Sequence, residues 1–289
     1  MPTAPLARTA APSAAEPAAL PWGGLLTLAA TAFTAVLTEL LPAGLLPRMS
    51  GGLGVSQGRV GFLVTLYAAA SFLSAIPLTA LLRGLPRRTV LTGALTGLAL
   101  ADAVTALSPS YLLTCGARLL AGAMGGTLWA MLAGYGARMV PARRRGRAIA
   151  IVLAGITVAL SLGVPLGSAL AGAVGWRAGF AALAVLAALL VLCALRYVPD
   201  FPGEPSAGRT PLRHIAALPG IRTVLSVTLL LLLGHQAMYT FLVAFAEHAG
   251  FGRADLVLFL FGAATVAGIW LAGALADRRP RATLLAALG

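Results

Sequence analysis

The sequence contains no lysine, only eight acidic residues and two cysteines, and charged side chains make up 10% of its 289 residues. A soluble domain averages about 25% charged residues. The chain therefore lacks the polar surface needed to cover a water-soluble globule. Cys115 and Cys193 both fall inside apolar runs, which excludes a disulfide framework and leaves them as packing residues. There is no phosphate-binding Gly-Lys-Ser/Thr loop, no metal-ligand spacing and no soluble segment large enough for an enzyme. ATP-driven transport within this chain is not expected, nor is a cofactor or metal.

What is present is apolar: 59% of residues are hydrophobic. They come in runs near the ~20 residues that cross a bilayer as a helix. Eight spans are expected, at 23–46, 60–82, 89–108, 111–134, 148–172, 177–196, 223–246 and 255–276. A lipid-embedded backbone must bond its own N–H and C=O groups, so these spans are helices. The predicted fold is an all-α polytopic membrane protein. A tail at 1–21, rich in Ala and Pro, precedes a six-helix bundle at 22–196. A linker at 197–222 and a partial second bundle at 223–289 follow. The last run, 282–289, is too short to cross a bilayer. A piece of a longer protein or a truncated chain is the expectation.

The net charge of +13 would suggest nucleic acid in a soluble protein. Here every basic residue is arginine, and the arginines sit between apolar runs, so no nucleic-acid partner is expected. With the N-terminus cytoplasmic, the inner gaps hold sixteen arginines and the outer gaps hold four: Arg48, Arg59, Arg177 and Arg253. That asymmetry obeys the positive-inside rule. A short polar turn lies at Arg83-Gly84-Leu85-Pro86-Arg87-Arg88, and a comparable knot follows at 275–285, where Pro280 and Arg281 match Pro86 and Arg87. Two such copies suggest two parallel halves, as in some secondary transporters.

A few polar groups interrupt the spans. Glu39 lies in the first, within Thr38-Glu39-Leu40-Leu41-Pro42-Ala43-Gly44. A carboxylate there costs several kcal/mol unless it faces a cavity, finds a partner or binds a proton. It is a candidate proton-coupling group, or else a wetted residue near the outer end. Asp102 lies toward the outer end of the third span, suited to proton coupling or to a hydrogen bond between helices. Arg118, one turn into the fourth span, is a partner for either acid. In the fifth span Gly155, Ala159, Gly163, Gly167 and Ala171 repeat every four residues, a stripe that admits a close neighbour helix, with a bend expected at Pro165. In the seventh, His235, Gln236 and Tyr239 are candidates to line a substrate cavity, or to pack within the helix bundle.

Together these stretches resemble the major facilitator superfamily, in particular bacterial drug/proton antiporters and the related sugar, nucleoside and chloramphenicol exporters. The stretch 38–47 is similar to that group's first helix, and Arg83, Gly84, Arg87 and Arg88 resemble its loop 2–3 signature. This copy has no acidic residue; Gly273, Asp277 and Arg278 in loop 8–9 are the better match. Arg118-Leu119-Leu120-Ala121-Gly122 resembles the helix 4 signature, whose arginine is implicated in proton transfer. Gly163-Val164-Pro165-Leu166-Gly167 resembles the antiporter signature of helix 5, followed by Gly175-Trp176-Arg177. The resemblance implies a twelve-helix alternating-access transporter in a bacterial inner membrane, of which this chain supplies the first eight helices. It also implies proton-coupled efflux of small, fairly apolar compounds, with lipid, protons and substrate as partners. A sugar or nucleoside exporter of the same fold, and a non-transporting remnant or subunit of a larger assembly, are the alternatives.

Overall fold

A computed structural model describes residues 19–204 and 218–231, with isolated helical positions at 234, 264, 267, 268 and 271. Most of the expected tail and of the second bundle, including most of the expected eighth span, lies outside the described residues. Each of the first six expected spans coincides with helix. They are α1 (Trp22–Gly44), α3 (Gln57–Leu81), α4 (Arg87–Leu107), α5 (Tyr111–Arg138), the pair α6 (Arg145–Val158) and α7 (Val164–Val174), and α8 (Trp176–Tyr197). A short α2 (Leu46–Leu53) follows α1, and residues 221–231 form a further helix, α9. Five of these segments are long and apolar enough to cross a membrane. The remaining one, α5, matches them in length but carries Arg118 and six glycines within its 28 residues.

The helix boundaries follow from local chemistry. Ser56 caps α3, its hydroxyl accepting from the Arg59 N–H. Pro86 stands just before α4 and Pro21 just before α1. Gly54, at φ 64°, ends α2, and Gly175, at φ 95°, turns the chain from α7 into α8; both are conformations that a side chain disfavours. Inside α1 the threonines satisfy themselves: Thr27, Thr31 and Thr34 donate to the carbonyls of Gly23, Thr27 and Ala30 at 2.7, 2.9 and 2.8 Å. Such back-bonding removes free hydroxyls from an apolar surrounding.

The up-and-down order sorts the arginines by end. Among the described residues of the bundle, Arg83, Arg87, Arg88, Arg138, Arg143, Arg144, Arg145, Arg147 and Arg196 cluster at one end, against Arg48, Arg59 and Arg177 at the other. At the sparse end Arg177 ties three connections together. It stacks on Trp176, 4.3 Å from the ring centre, and donates to the carbonyls of Gly52 and Ser108.

Packing centres on α1, which touches α3, α5, α6, α7 and α8. The predicted stripe of small residues faces it. A Cβ on Gly155 would collide with the Ala29 carbonyl, while Gly163 lies against Phe33 and Leu37 and Gly167 against Leu41. Positions 29, 33, 37 and 41 repeat every four residues, so two i+4 rows meet along their length. The bend expected at Pro165 takes the form of a π-helical segment over Ala159–Gly163, immediately before it. Proline has no N–H to give the preceding turn, and a wider turn accommodates the loss. Gly122, Gly125 and Gly126 do the same for α5, letting it close on Tyr67 and Ser71 of α3. We expect Gly155→Leu to destabilise the detergent-solubilised protein by about 1–3 kcal/mol. Gly116→Leu, where nothing lies within 4 Å, should be neutral in the same thermal melt.

Candidate functional site

The buried core divides into two apolar clusters. One, toward the arginine-rich end, contains Leu25, Leu28, Leu91, Leu95, Leu98 and Leu132. The other contains Leu41, Leu45, Met49, Leu63, Trp176 and Phe180. A polar layer lies where they meet, built from Thr38 on α1, Asp102 on α4 and Arg118 on α5, each wholly buried.

The layer is cross-linked through both Arg118 Nη atoms, while its buried Nε has no hydrogen-bond partner among the described residues. Arg118 Nη2 donates to Asp102 Oδ1 at 3.0 Å, and the Thr38 hydroxyl donates to Asp102 Oδ2 at 2.7 Å. Arg118 Nη1 donates to the backbone carbonyl of Thr38. That carbonyl is available for a reason written in the sequence. Its helical partner would be the N–H of residue 42, and residue 42 is proline. Proline lacks the donor, so a free acceptor opens inside the bundle, and Arg118 fills it. The guanidinium is also flanked by the Tyr67 ring from α3, at 6.0 Å, and the Phe180 ring from α8, at 5.2 Å. Aromatic faces attract a desolvated cation. Tyr67 is held in turn, its hydroxyl donating to the Ala35 carbonyl at 3.4 Å. Four helices thus converge on one side chain of a fifth.

Of the two acids open to Arg118, the structure pairs it with Asp102. Glu39, one residue beyond Thr38, is half-buried and has no hydrogen-bond or ion-pair partner among the described residues. The fold therefore separates two carboxylates: one locked against a cation, one adjacent and uncommitted. Thr38, Tyr67, Phe180 and Pro42 were not among the residues singled out from the sequence. The spacing of Pro42 four residues after Thr38 was the signal available for two of them. Arg83, Gly84, Arg87 and Arg88 lie together at the arginine-rich end, in the α3–α4 turn. Gly155, Gly163, Pro165 and Gly167 lie along the α1 seam, with Pro165 exposed. His235, Gln236, Tyr239, Gly273, Asp277 and Arg278 lie outside the described residues. An open apolar cleft of about 430 Å³ runs between α4 and α8, lined by Thr96, Leu100, Ala103 and Val185 among others, and by none of Glu39, Asp102 or Arg118.

The sequence model of the Major Facilitator Superfamily matches residues 28–289. A chloramphenicol resistance protein of Streptomyces lividans is 37% identical over 257 residues, covering 86% of this chain and 66% of that protein. The purine ribonucleoside efflux pump NepI of Salmonella typhimurium is 31% identical over 251 residues, covering 86% and 63%. The chain thus spans about two thirds of the length of these relatives. Among solved structures, the human organic anion transporter MFSD10 aligns with a TM-score of 0.60 at 19% identity, covering 90% of this chain and 72% of that one. The proton:xylose symporter XylE aligns at 0.55 and 13%, covering 93% and 56%. The helix order and these matches lead to one conclusion: the chain is a multi-pass membrane protein belonging to the Major Facilitator Superfamily.

Proposed function

We propose that the protein works as a proton-coupled exporter of small, fairly apolar compounds by alternating access. The observation that carries this reading is the uncommitted Glu39 beside the Thr38–Asp102–Arg118 lock. An intramembrane carboxylate with no fixed partner is free to take a proton on one side and release it on the other. In this reading Glu39 carries the proton or meets a cationic substrate. Asp102 positions Arg118, and Arg118 tunes Glu39. His235, Gln236 and Tyr239 complete the cavity from the second half. The arginine-rich end faces the cytoplasm of a bacterial cell, nine bundle arginines against three supporting that orientation.

The substrate class follows the relatives' names only as a proposal. Similarity to the chloramphenicol resistance protein favours an apolar antibiotic. Similarity to NepI supports a second reading, export of purine ribonucleosides. Vesicles containing the protein, offered chloramphenicol or a purine ribonucleoside, should show substrate-dependent proton movement with chloramphenicol. Movement with the nucleoside alone would select the second reading. Glu39→Gln should reduce the movement to background, and unchanged coupling in that variant would remove Glu39 from the mechanism.

The lock makes a separate prediction. Removing one member of a buried ion pair costs about 3–5 kcal/mol, because the other is left charged and unpaired. Asp102→Asn and Arg118→Gln should each lower the thermal stability of the solubilised protein on that scale. The double variant should cost clearly less than the sum of the two. Additive losses would show that the pair contributes nothing as a pair.

A further inference from the structure

The α3–α4 turn holds Arg83, Arg87 and Arg88 and no acid of its own. The structure brings acids to it from 112 to 121 residues away in sequence. Arg87 Nη2 donates to Glu204 Oε1 at 3.1 Å, and Arg83 Nη1 lies 3.9 Å from Glu204 Oε2. Asp200 Oδ1 accepts from the backbone N–H of Arg88 at 3.0 Å, at the first turn of α4, where a carboxylate also meets the positive end of the helix dipole. The backbones are joined as well. The Arg87 N–H donates to the Phe201 carbonyl and the Glu204 N–H to the Arg83 carbonyl, both at 2.8 Å. Gly203 lies so close to the Gly84–Leu85 backbone that a Cβ there would collide with it.

The same segment is fastened to α5. The Tyr135 hydroxyl donates to the Pro199 carbonyl at 2.7 Å, and the Tyr135 and Phe201 rings meet at 5.3 Å. Val198 is buried in the first core cluster and Phe201 packs against it. Residues 198–204 therefore do not leave the bundle as a free strand. They cross its arginine-rich end, pinned to the α3–α4 turn by charge and backbone and to α5 by a ring.

We propose that Glu204, from the segment after α8, supplies the acid that the 83–88 turn lacks, so that residues 198–204 form a latch that positions this turn and carries the first bundle on to Glu204. Glu204 is a positioning residue: it acts through Arg83 and Arg87 and touches no substrate. Any rearrangement that moves the chain beyond Glu204 then pulls directly on the α3–α4 turn. This inference is independent of the substrate and of the proton-coupling reading.

Trypsin tests it in the full, detergent-solubilised chain, with the cut after Arg83 followed by mass spectrometry. The arginine side chains are only 17% and 15% exposed while latched. Cleavage there reports the population in which the latch is open. Two partly exposed ion pairs predict that Glu204→Gln speeds the cut by roughly two- to tenfold at low salt. About 0.5 M salt should speed the cut in the unaltered protein toward the variant's rate and leave Glu204→Gln nearly unchanged, because the attraction being screened is already gone. Gly203→Val should open the latch at either salt by blocking backbone contact. Cleavage of Glu204→Gln at the unaltered rate in low salt, or equal acceleration of both proteins by salt, would overturn the proposal.

Discussion

A guanidinium with no exposure to solvent, at the centre of six apolar helices, is the constraint on which the rest of the bundle depends. Moving such a charge out of water costs several kcal/mol even after relaxation. It is tolerated because α4 supplies a counter-charge, α1 supplies a hydroxyl and a spare carbonyl, and α3 and α8 supply aromatic faces. Each contribution requires its helix to stand at one rotation and one height. The polar layer therefore specifies register, as apolar contact alone would not. Leucine side chains slide past one another at little cost, whereas an arginine bonded to two oxygens on two other helices does not.

The α1 helix has two neighbours of opposite kind. Toward α5 it is fixed by directed bonds at Thr38. Toward α6 and α7 it meets a stripe of small residues with no polar tie, broken by the π segment at Ala159–Gly163. The first contact resists displacement and the second is smooth. Glu39 sits on the one helix that experiences both. The same logic extends to the arginine-rich end, where the 198–204 segment binds to the turn joining α3 and α4 and so reaches two helices adjoining the polar layer.

Much of this was legible in the sequence, and the part that was not has definite physical causes. Span lengths and the arginine asymmetry depend on composition, so α1, α3, α4, α5, α6–α7 and α8 were predictable within a few residues. The stripe at Gly155, Gly163 and Gly167 was visible from spacing, though not that it faces the row Ala29, Phe33, Leu37 and Leu41. The choice of Asp102 over Glu39 as partner to Arg118 turns on helix rotation, which periodicity in nearly uniform apolar helices does not encode. Pro42 could have been read as freeing the Thr38 carbonyl, but which donor fills it is a tertiary fact. Glu204 meeting Arg87 across 117 residues has no local signature at all.

Hydrogen exchange read by mass spectrometry in Arg118→Gln tests the central claim most directly. If Arg118 sets the register of its neighbours, the variant should lose protection over 31–42 of α1, 95–107 of α4 and 111–125 of α5 together. The α2 helix, joined to none of its bonds, should keep its protection. Loss confined to the turn of α5 around residue 118 would contradict the account, and would make the arginine a passenger in a bundle held by apolar packing.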